Sequence, residues 1–507
     1  MGARVPYTQC LLSDNQLASG DRSGRNFRQI LEVRRFSGRT DSRLSYMNFK
    51  TDFSRRIQAL PKDVHTGKIY IPLKNRYLTH SRTFYLSIRF LWSFQLFSLT
   101  LQRTKCYIVM RITHIIGAVL VLSLTACSQK KSPYEQMPVV AHTEEVNGEP
   151  LTVCQLDLLT DTVDIPLSDL VEELQLVKLD NREEALVGMS RVHISDNYIL
   201  VSKSSHVPCK LFRRDGTYIN KVGGIGQGPG DYRNIYDAQI DEKHGRIYLL
   251  PWNANRILVY NLEGKYETFI PLNKKYENLL VPKGIFRVDA GRNRVEVVLL
   301  PFNHLPVVAW VQDMEGNIIG EVPSGHLKIQ PDFSNEVLSS KATDVLNFHL
   351  STFFEVRQDT LYHLDNEQVK LLPCFTMDFG NRDVKLHNFY ELPMHYYGYV
   401  ADMKQTSDYI YEYDQQRYFI IDKATGRGNY CRIYNDYLGD EKVSWVVGYD
   451  GYYTRMTEPA VLAEEIDKTL QEHPSLGKER REKLETLKAS IGEDDNNYIF
   501  FGKLKDK

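Results

Sequence analysis

The sequence predicts an all-β fold: a six-bladed β-propeller of four-stranded blades, with a helical hairpin inserted in the last blade. Three observations lead there. The chain is rich in Tyr (31) and Phe (22), which favour strands. A strand–strand–turn unit recurs along the second two-thirds of the chain. The glycines that close those turns fall at a nearly constant interval, the mark of a repeated supersecondary unit.

The recurring unit is an aromatic-bearing strand, a short gap, a second strand and a turn on an acidic residue followed by Gly. Asn197-Tyr198-Ile199-Leu200-Val201 leads to Leu211-Phe212 and Asp215-Gly216; Arg246-Ile247-Tyr248-Leu249-Leu250 leads to Leu258-Val259-Tyr260 and Glu263-Gly264. Arg294-Val295-Glu296-Val297-Val298 leads to Trp310-Val311-Gln312 and Glu315-Gly316, Thr360-Leu361-Tyr362-His363-Leu364 turns at Asp365-Asn366, and Arg417-Tyr418-Phe419-Ile420-Ile421 leads to Gly426. Gly accepts the positive φ that a tight hairpin needs. Gly216 to Gly264 is 48 residues, Gly264 to Gly316 is 52, and Gly316 to Gly426 is 110, two intervals. At roughly 50 residues per four-stranded blade, residues 161–507 hold six blades once one helical insertion is set aside.

That insertion is expected over 457–492. Val461, Leu462, Ile466 and Leu470 fall at helical spacing, Pro474 and Gly477 break the run, and Leu484, Leu487 and Ile491 resume it. The strand after it, Tyr498-Ile499-Phe500-Phe501-Gly502, is expected to pair with the first strand near Glu173-Leu174-Gln175-Leu176-Val177 and close the ring, which removes exposed sheet edges.

Ahead of the repeats the charge changes character. The 109 residues before Met110 carry 19 Lys and Arg against 6 Asp and Glu, whereas the rest carries 44 against 58, so the overall charge of −1 conceals two different regions. Met110-Arg111 followed by the apolar run Ile115-Ile116-Gly117-Ala118-Val119-Leu120-Val121-Leu122-Ser123-Leu124 and Leu124-Thr125-Ala126-Cys127 looks like a lipoprotein signal peptide (110–127), with Cys127 as the lipidated residue. The apolar run is too short to span a bilayer. Residues 1–109 then read as an extension upstream of the working start or as disordered chain, and 128–160 as a flexible tether. The expected location is the cell envelope, anchored by lipid to a membrane, with the periplasmic face of the outer membrane preferred because no acidic run follows Cys127. Cys154, Cys209, Cys374 and Cys431 are too scattered for a disulfide framework or a Cys-based metal motif and are expected to be buried, unpaired thiols.

The densest turn, Gly223-Gly224-Ile225-Gly226-Gln227-Gly228-Pro229-Gly230-Asp231-Tyr232, fails as a phosphate loop, because Pro229 stands where the dinucleotide fingerprint needs Gly. It reads as a connection between blades. Gly226-Gln227-Gly228-Pro229-Gly230-Asp231-Tyr232, preceded by Phe212 and Asp215-Gly216, resembles the six-bladed β-propeller lipoproteins of Gram-negative gut anaerobes, relatives of NHL-repeat propellers. Ile165-Pro166-Leu167-Ser168-Asp169-Leu170-Val171-Glu172, Asp359-Thr360-Leu361-Tyr362-His363-Leu364, Met377-Asp378-Phe379-Gly380 and Tyr498-Ile499-Phe500-Phe501-Gly502-Lys503-Leu504 fit the same likeness. The resemblance implies an architecture and a location and carries no catalytic residue.

No nucleophile elbow, zinc motif or kinase signature occurs, so no catalytic residue, metal ligand or cofactor is expected. Trp252, Asn255 and Arg256, in a loop between two strands, are candidates to reach a ligand. Tyr396 and Tyr397, in a tyrosine-dense stretch, could stack on a sugar, although alternating Tyr is also ordinary strand packing. A charge of about −15 after Cys127 argues against nucleic acid, which attracts basic surfaces. The expected function is a binding or scaffold module for a glycan, peptide or envelope protein. The alternative is a hydrolase or lyase whose residues converge on the central channel from different blades.

Overall fold

The computed structural model describes residues 133–506, apart from 203–206, 277–278, 408–409, 440, 444–445 and 475. The signal peptide expected over 110–127, Cys127 and residues 1–109 lie outside the described residues.

Six sheets stand in a ring. Blade 1 is Arg191–Ile194, Tyr198–Ser202, Cys209–Arg213 and Tyr218–Val222, from the axis outward. Blade 2 is Ile235–Asp241, Arg246–Pro251, Arg256–Asn261 and Tyr266–Pro271; blade 3 is Gly284–Asp289, Arg294–Leu299, Val307–Gln312 and Ile318–Pro323. Blade 4 is Glu336–Leu338, Leu346–Ser351, Thr360–Asp365 and Lys370–Asp378; blade 5 is Leu386–Glu391, His395–Ser407, Ile410–Asp422 and Gly428–Asn435. Each neighbouring pair of blades shares an apolar cluster, with Phe212 and Phe501 between blades 6 and 1, Trp310 and Phe348 between 3 and 4, and Phe375 and Phe419 between 4 and 5. The core is therefore a ring of interfaces, one sheet face packed on the next.

In blade 6, Tyr498–Lys503 pairs with Tyr452–Thr457 on one side and with Gln175–Lys178 on the other, so that Ile499 faces Val177 and Phe500 faces Leu176. The expected closure is what holds the ring. These three strands make up its sheet, and residues 446–448, which form no strand, turn into Tyr452–Thr457 so closely that a Cβ on Gly448 would sit 1.9 Å from the Tyr452 carbonyl oxygen. The inserted helices, Pro459–Glu472 and Lys478–Ser490, fill the next connection, burying Leu462, Ile466 and Leu484.

The third-to-fourth strand turns behave as the glycine spacing predicts. Gly216, Gly264, Gly316 and Gly426 take φ of +88°, +78°, +88° and +64°. Blade 4 departs: its turn has no Gly, and the β-branched Val369 adopts φ +50°. Its side chain packs where Gly320 of blade 3 leaves room, since a Cβ on Gly320 would lie 2.8 Å from Val369.

The tether expected over 128–160 is shorter in the structure. Ala141–Val146 and Glu149–Gln155 are strands, and the second runs parallel to Lys370–Asp378 as an addition to blade 4. Thr162–Pro166 then adds to blade 5 alongside Gly428–Asn435, before Gln175–Lys178 enters blade 6. The polar composition suggested solvent, but outer strands of a propeller need only one buried face, and alternate residues Leu151 and Val153 supply it. The Gly-rich loop joins blade 1 to blade 2 as expected: the Tyr260 hydroxyl donates to the Gly230 carbonyl at 2.6 Å, and the Asp231 carboxylate accepts from the Gly228 amide at 3.1 Å. Cys154, Cys209, Cys374 and Cys431 are buried, unpaired thiols.

Candidate functional site

Strand alternation places the second-to-third strand loops and the blade-to-blade connections on one face of the ring, and the glycine turns on the other. Trp252 occupies such a loop in blade 2, is 37% exposed, and meets the ring of Phe333 edge-on at 5.9 Å. Phe333, in the connection from blade 3 to blade 4, is 78% exposed. Lys283, buried at the head of blade 3, fixes this pair. Its ammonium lies 5.6 Å from the Trp252 ring and donates to the Phe333 and Asn335 carbonyls at 2.6 and 2.9 Å, with Glu336 as counter-ion. The Asn335 side chain then accepts from the Phe353 amide at 3.0 Å, and Phe353 packs edge-on against Phe354, 58% exposed, and against Tyr413 of blade 5. An apolar ridge thus runs from blade 2 to blade 5 on rigid supports.

Of the loop residues expected from sequence, Trp252 is in this ridge. Arg256 lies over the exposed Phe269 ring at 5.1 Å, and the Asn255 carbonyl accepts from the Leu272 amide. Tyr396 and Tyr397 are not platform residues. Tyr397 is buried, stacked on Tyr418, and Tyr396 is buried against Phe375 at the interface of blades 4 and 5, because their alternation serves two packed faces. Phe333 and Phe354 were missed. A lone aromatic in a connection gives no periodic signal, and its partners lie in other blades.

The central channel is crossed by the segment 339–345 of blade 4. Lys341 pairs with the buried Asp237 of blade 2 at 2.7 Å, and Arg287 of blade 3 donates to the Thr343 carbonyl at 2.9 Å and to that of Asp344. Ser340 donates to the Glu391 carbonyl of blade 5, and Ala342 approaches Gly451 beside blade 6. Lys341 is engaged by Asp237, and Arg287 by backbone carbonyls, so the segment forms a cross-brace over the axis.

A second cluster opens on the glycine-turn side, between blades 4 and 5. Glu391 accepts from His363 at 2.6 Å, from Lys423 at 2.6 Å and from the Asn347 amide at 3.1 Å. Burial alone would raise the Glu391 carboxyl, but the His363 hydrogen bond and charge and the Lys423 charge hold it below the usual carboxylate range. Burial likewise works against the His363 imidazolium, and hydrogen bonds to Cys374 and Glu391 overcome it and lift the imidazole to about 10. The Cys374 thiol lies 3.4 Å from the Tyr396 hydroxyl.

Higher in the same interface, His349, Asp359 and His387 wall a small polar cavity. The His349 Nδ1 and Asp359 Oδ2 atoms are buried with no hydrogen-bond partner. Burial, with the His387 charge, lowers His349 to about 3, burial lowers His387 to about 4, and burial raises Asp359 to about 6.

No curated protein matches the sequence. Among solved structures, the chain is similar to a Bacteroides fragilis protein classed as a candidate exported protein, at 15% identity and TM-score 0.43, covering 68% of this chain and 100% of that one. A Bacteroides vulgatus member of the duf4221 family is similar at 9% identity and TM-score 0.34, covering 66% of this chain and 97% of that one. Virginiamycin B lyase from Staphylococcus aureus is similar at 11% identity and TM-score 0.29, covering 51% and 73%. None of these carries an activity across to this chain. The family model described as Domain of unknown function (DUF4934) matches residues 152–503, a span that takes in all six blades, and the chain belongs to that family.

Proposed function

We propose that this protein is a lipid-anchored propeller of the cell envelope that binds a protein partner by an extended apolar segment laid on the ridge from Trp252 to Phe354. The observation that carries this reading is the exposure of Phe333 and Phe354, 78% and 58%, on supports held by Lys283 and Asn335. Large apolar side chains at the surface of a soluble fold mark interaction sites, and aromatic anchors dominate interface energies. Phe offers a sugar no hydrogen bond, so the ridge suits apolar peptide side chains better than a glycan. The channel brace supports a binding role over catalysis at the axis, because Lys341 and Asp237 already pair and Arg287 is engaged by backbone carbonyls. The anchor rests on Leu124-Thr125-Ala126-Cys127.

A displayed random-peptide library tests the reading. Selection is expected to yield sequences with spaced apolar anchors, binding at least tenfold more weakly to the Phe333→Ser/Phe354→Ser variant, with thermal unfolding unchanged. Selection of no peptide, together with glycan-array binding, overturns it in favour of a carbohydrate ligand. Labelled fatty acid is expected on the native chain and lost in Cys127→Ser; an unlabelled native chain overturns the anchor.

A further inference from the structure

We infer that the crevice between blades 4 and 5 is a site for one soft divalent transition-metal ion, of the Zn2+ class, held by His363, Cys374 and Glu391 with a fourth position open. It lies on the opposite face from the apolar ridge and stands independently of the function proposed above.

The donor atoms of these three side chains all lie within 4.8 Å of one another. They come from three strands of two blades, so the convergence is a product of tertiary packing. Cys374 reaches the cluster through a β-bulge: Leu361 pairs with Phe375 and Tyr362 with Pro373, which leaves Cys374 as the extra residue. The corresponding strand pairs of blades 1 to 3 bulge beside the turn, at Ile219, Glu267 and Ile319. In blade 4 the bulge sits deeper in the strand, where it re-aims a thiol at the next blade. Bulges gather beside functional sites for this reason.

The chemistry of the set is selective. One imidazole, one thiol and one carboxylate are the ligand types of zinc sites, in which three protein ligands leave a position for water or substrate. Metal–ligand lengths of about 2.0–2.3 Å require His363 and Glu391, 2.6 Å apart, to part slightly around the ion. Outer partners are already in place, with Asn347 and Lys423 on the Glu391 oxygens and Tyr396 beside the sulfur, as metal ligands generally require. Cys374 and Glu391 are more than nine-tenths buried, while about a quarter of the His363 side chain faces solvent and gives an ion its way in. Ligation expels whatever protons the thiol and imidazole carry, and Lys423 remains as a fixed cation on Glu391.

The test is titration of the reduced full-length chain with Co2+. One equivalent is expected to produce a thiolate-to-cobalt charge-transfer band that one equivalent of Zn2+ then removes. Cys374→Ser should abolish the band, whereas Cys154→Ser, Cys209→Ser and Cys431→Ser should keep it. His363→Gln should weaken Co2+ binding at least tenfold, with the circular dichroism spectrum unchanged. Absence of the band in the native chain, its survival in Cys374→Ser, or undiminished affinity in His363→Gln overturns the proposal.

Discussion

Blades 1 to 3 and blades 4 to 6 are built differently, and the contrast explains where chemistry can reside in this ring. Each of the first three is a continuous stretch of chain with four antiparallel strands and a glycine at the outer turn. Each of the last three takes a strand from residues 141–178, which lace across their outer edges in order before the chain enters blade 1. The interface of blades 4 and 5 also concentrates buried ionisable groups: His349, His387 and Asp359 around one cavity, and His363, Cys374, Glu391 and Lys423 around another crevice. Blades 1 to 3 bury ionisable groups too, His193, Lys210, Asp237, Lys283 and Glu296, but these are spread over three blades and not gathered at one interface. In blades 4 and 5 the gathered groups lie in sheets that strands from outside them extend.

The sharpest way to break this comparison is to remove the lacing. A chain beginning at Leu179 lacks the strand that closes blade 6 and is expected to lose cooperative unfolding altogether, whereas one beginning at Asp161 loses the additions to blade 4 and the contacts of residues 134–140 with blade 5, keeps the closing strand and unfolds cooperatively at a lower midpoint. Urea denaturation followed by circular dichroism distinguishes them. Equal midpoints for the two chains would mean that the lacing is ornamental.

Acid should next separate the halves. His349 and His387 are held at about 3 and about 4 in the folded state, below the ordinary value near 6.5, so the folded protein binds fewer protons than the unfolded chain between those limits. Their contribution is complete above about pH 6.5 and declines as pH falls towards 4, by about 2 kcal/mol each at pH 5. Asp359, raised to about 6, has the opposite sign, since its contribution is present at low pH and lost as pH rises through 6. Two histidines outweigh one carboxyl, and melting temperature should fall steeply below pH 6. In His349→Phe/His387→Phe that slope should flatten, and a slope unchanged by the double substitution would place the acid sensitivity elsewhere.

The turns provide the finest comparison. Gly264→Ala forces a methyl to within 2.3 Å of the Lys221 carbonyl oxygen at φ +78° and should cost about 1–3 kcal/mol. Val369→Asn in blade 4 relieves a β-branched residue at φ +50° but loses its packing over Gly320, so its net change should stay below about 1 kcal/mol. Thermal melts of the two variants check both figures, and a larger loss for Val369→Asn would show that packing, not backbone conformation, governs that turn.

How much of this was legible in the chain follows from the range of each signal. Period-2 alternation and Asp-Gly or Glu-Gly turns are local, so blades 1 to 3, the helical pair and the pairing of Tyr498–Lys503 with the first strand could be read from residues alone. Trp252 could be singled out as a loop aromatic. Tyr397 could not be sorted into platform or core, because a strand whose two faces are both buried looks the same as one with an exposed face. Glu149–Gln155 passed for tether because its apolar residues are few and the surface they cover belongs to residues more than 200 positions away.

The sequence by itself determined the repeat, its number and its turns, because those depend on neighbours in the chain and on what Gly and β-branched residues tolerate. Only the tertiary structure decided which polar side chains meet. The bulge that turns Cys374 towards Glu391, the brace from Lys341 to Asp237 and the seat of Phe333 on Lys283 each join residues from different blades. Their distances are set by how neighbouring sheets pack around the axis, which no local pattern encodes.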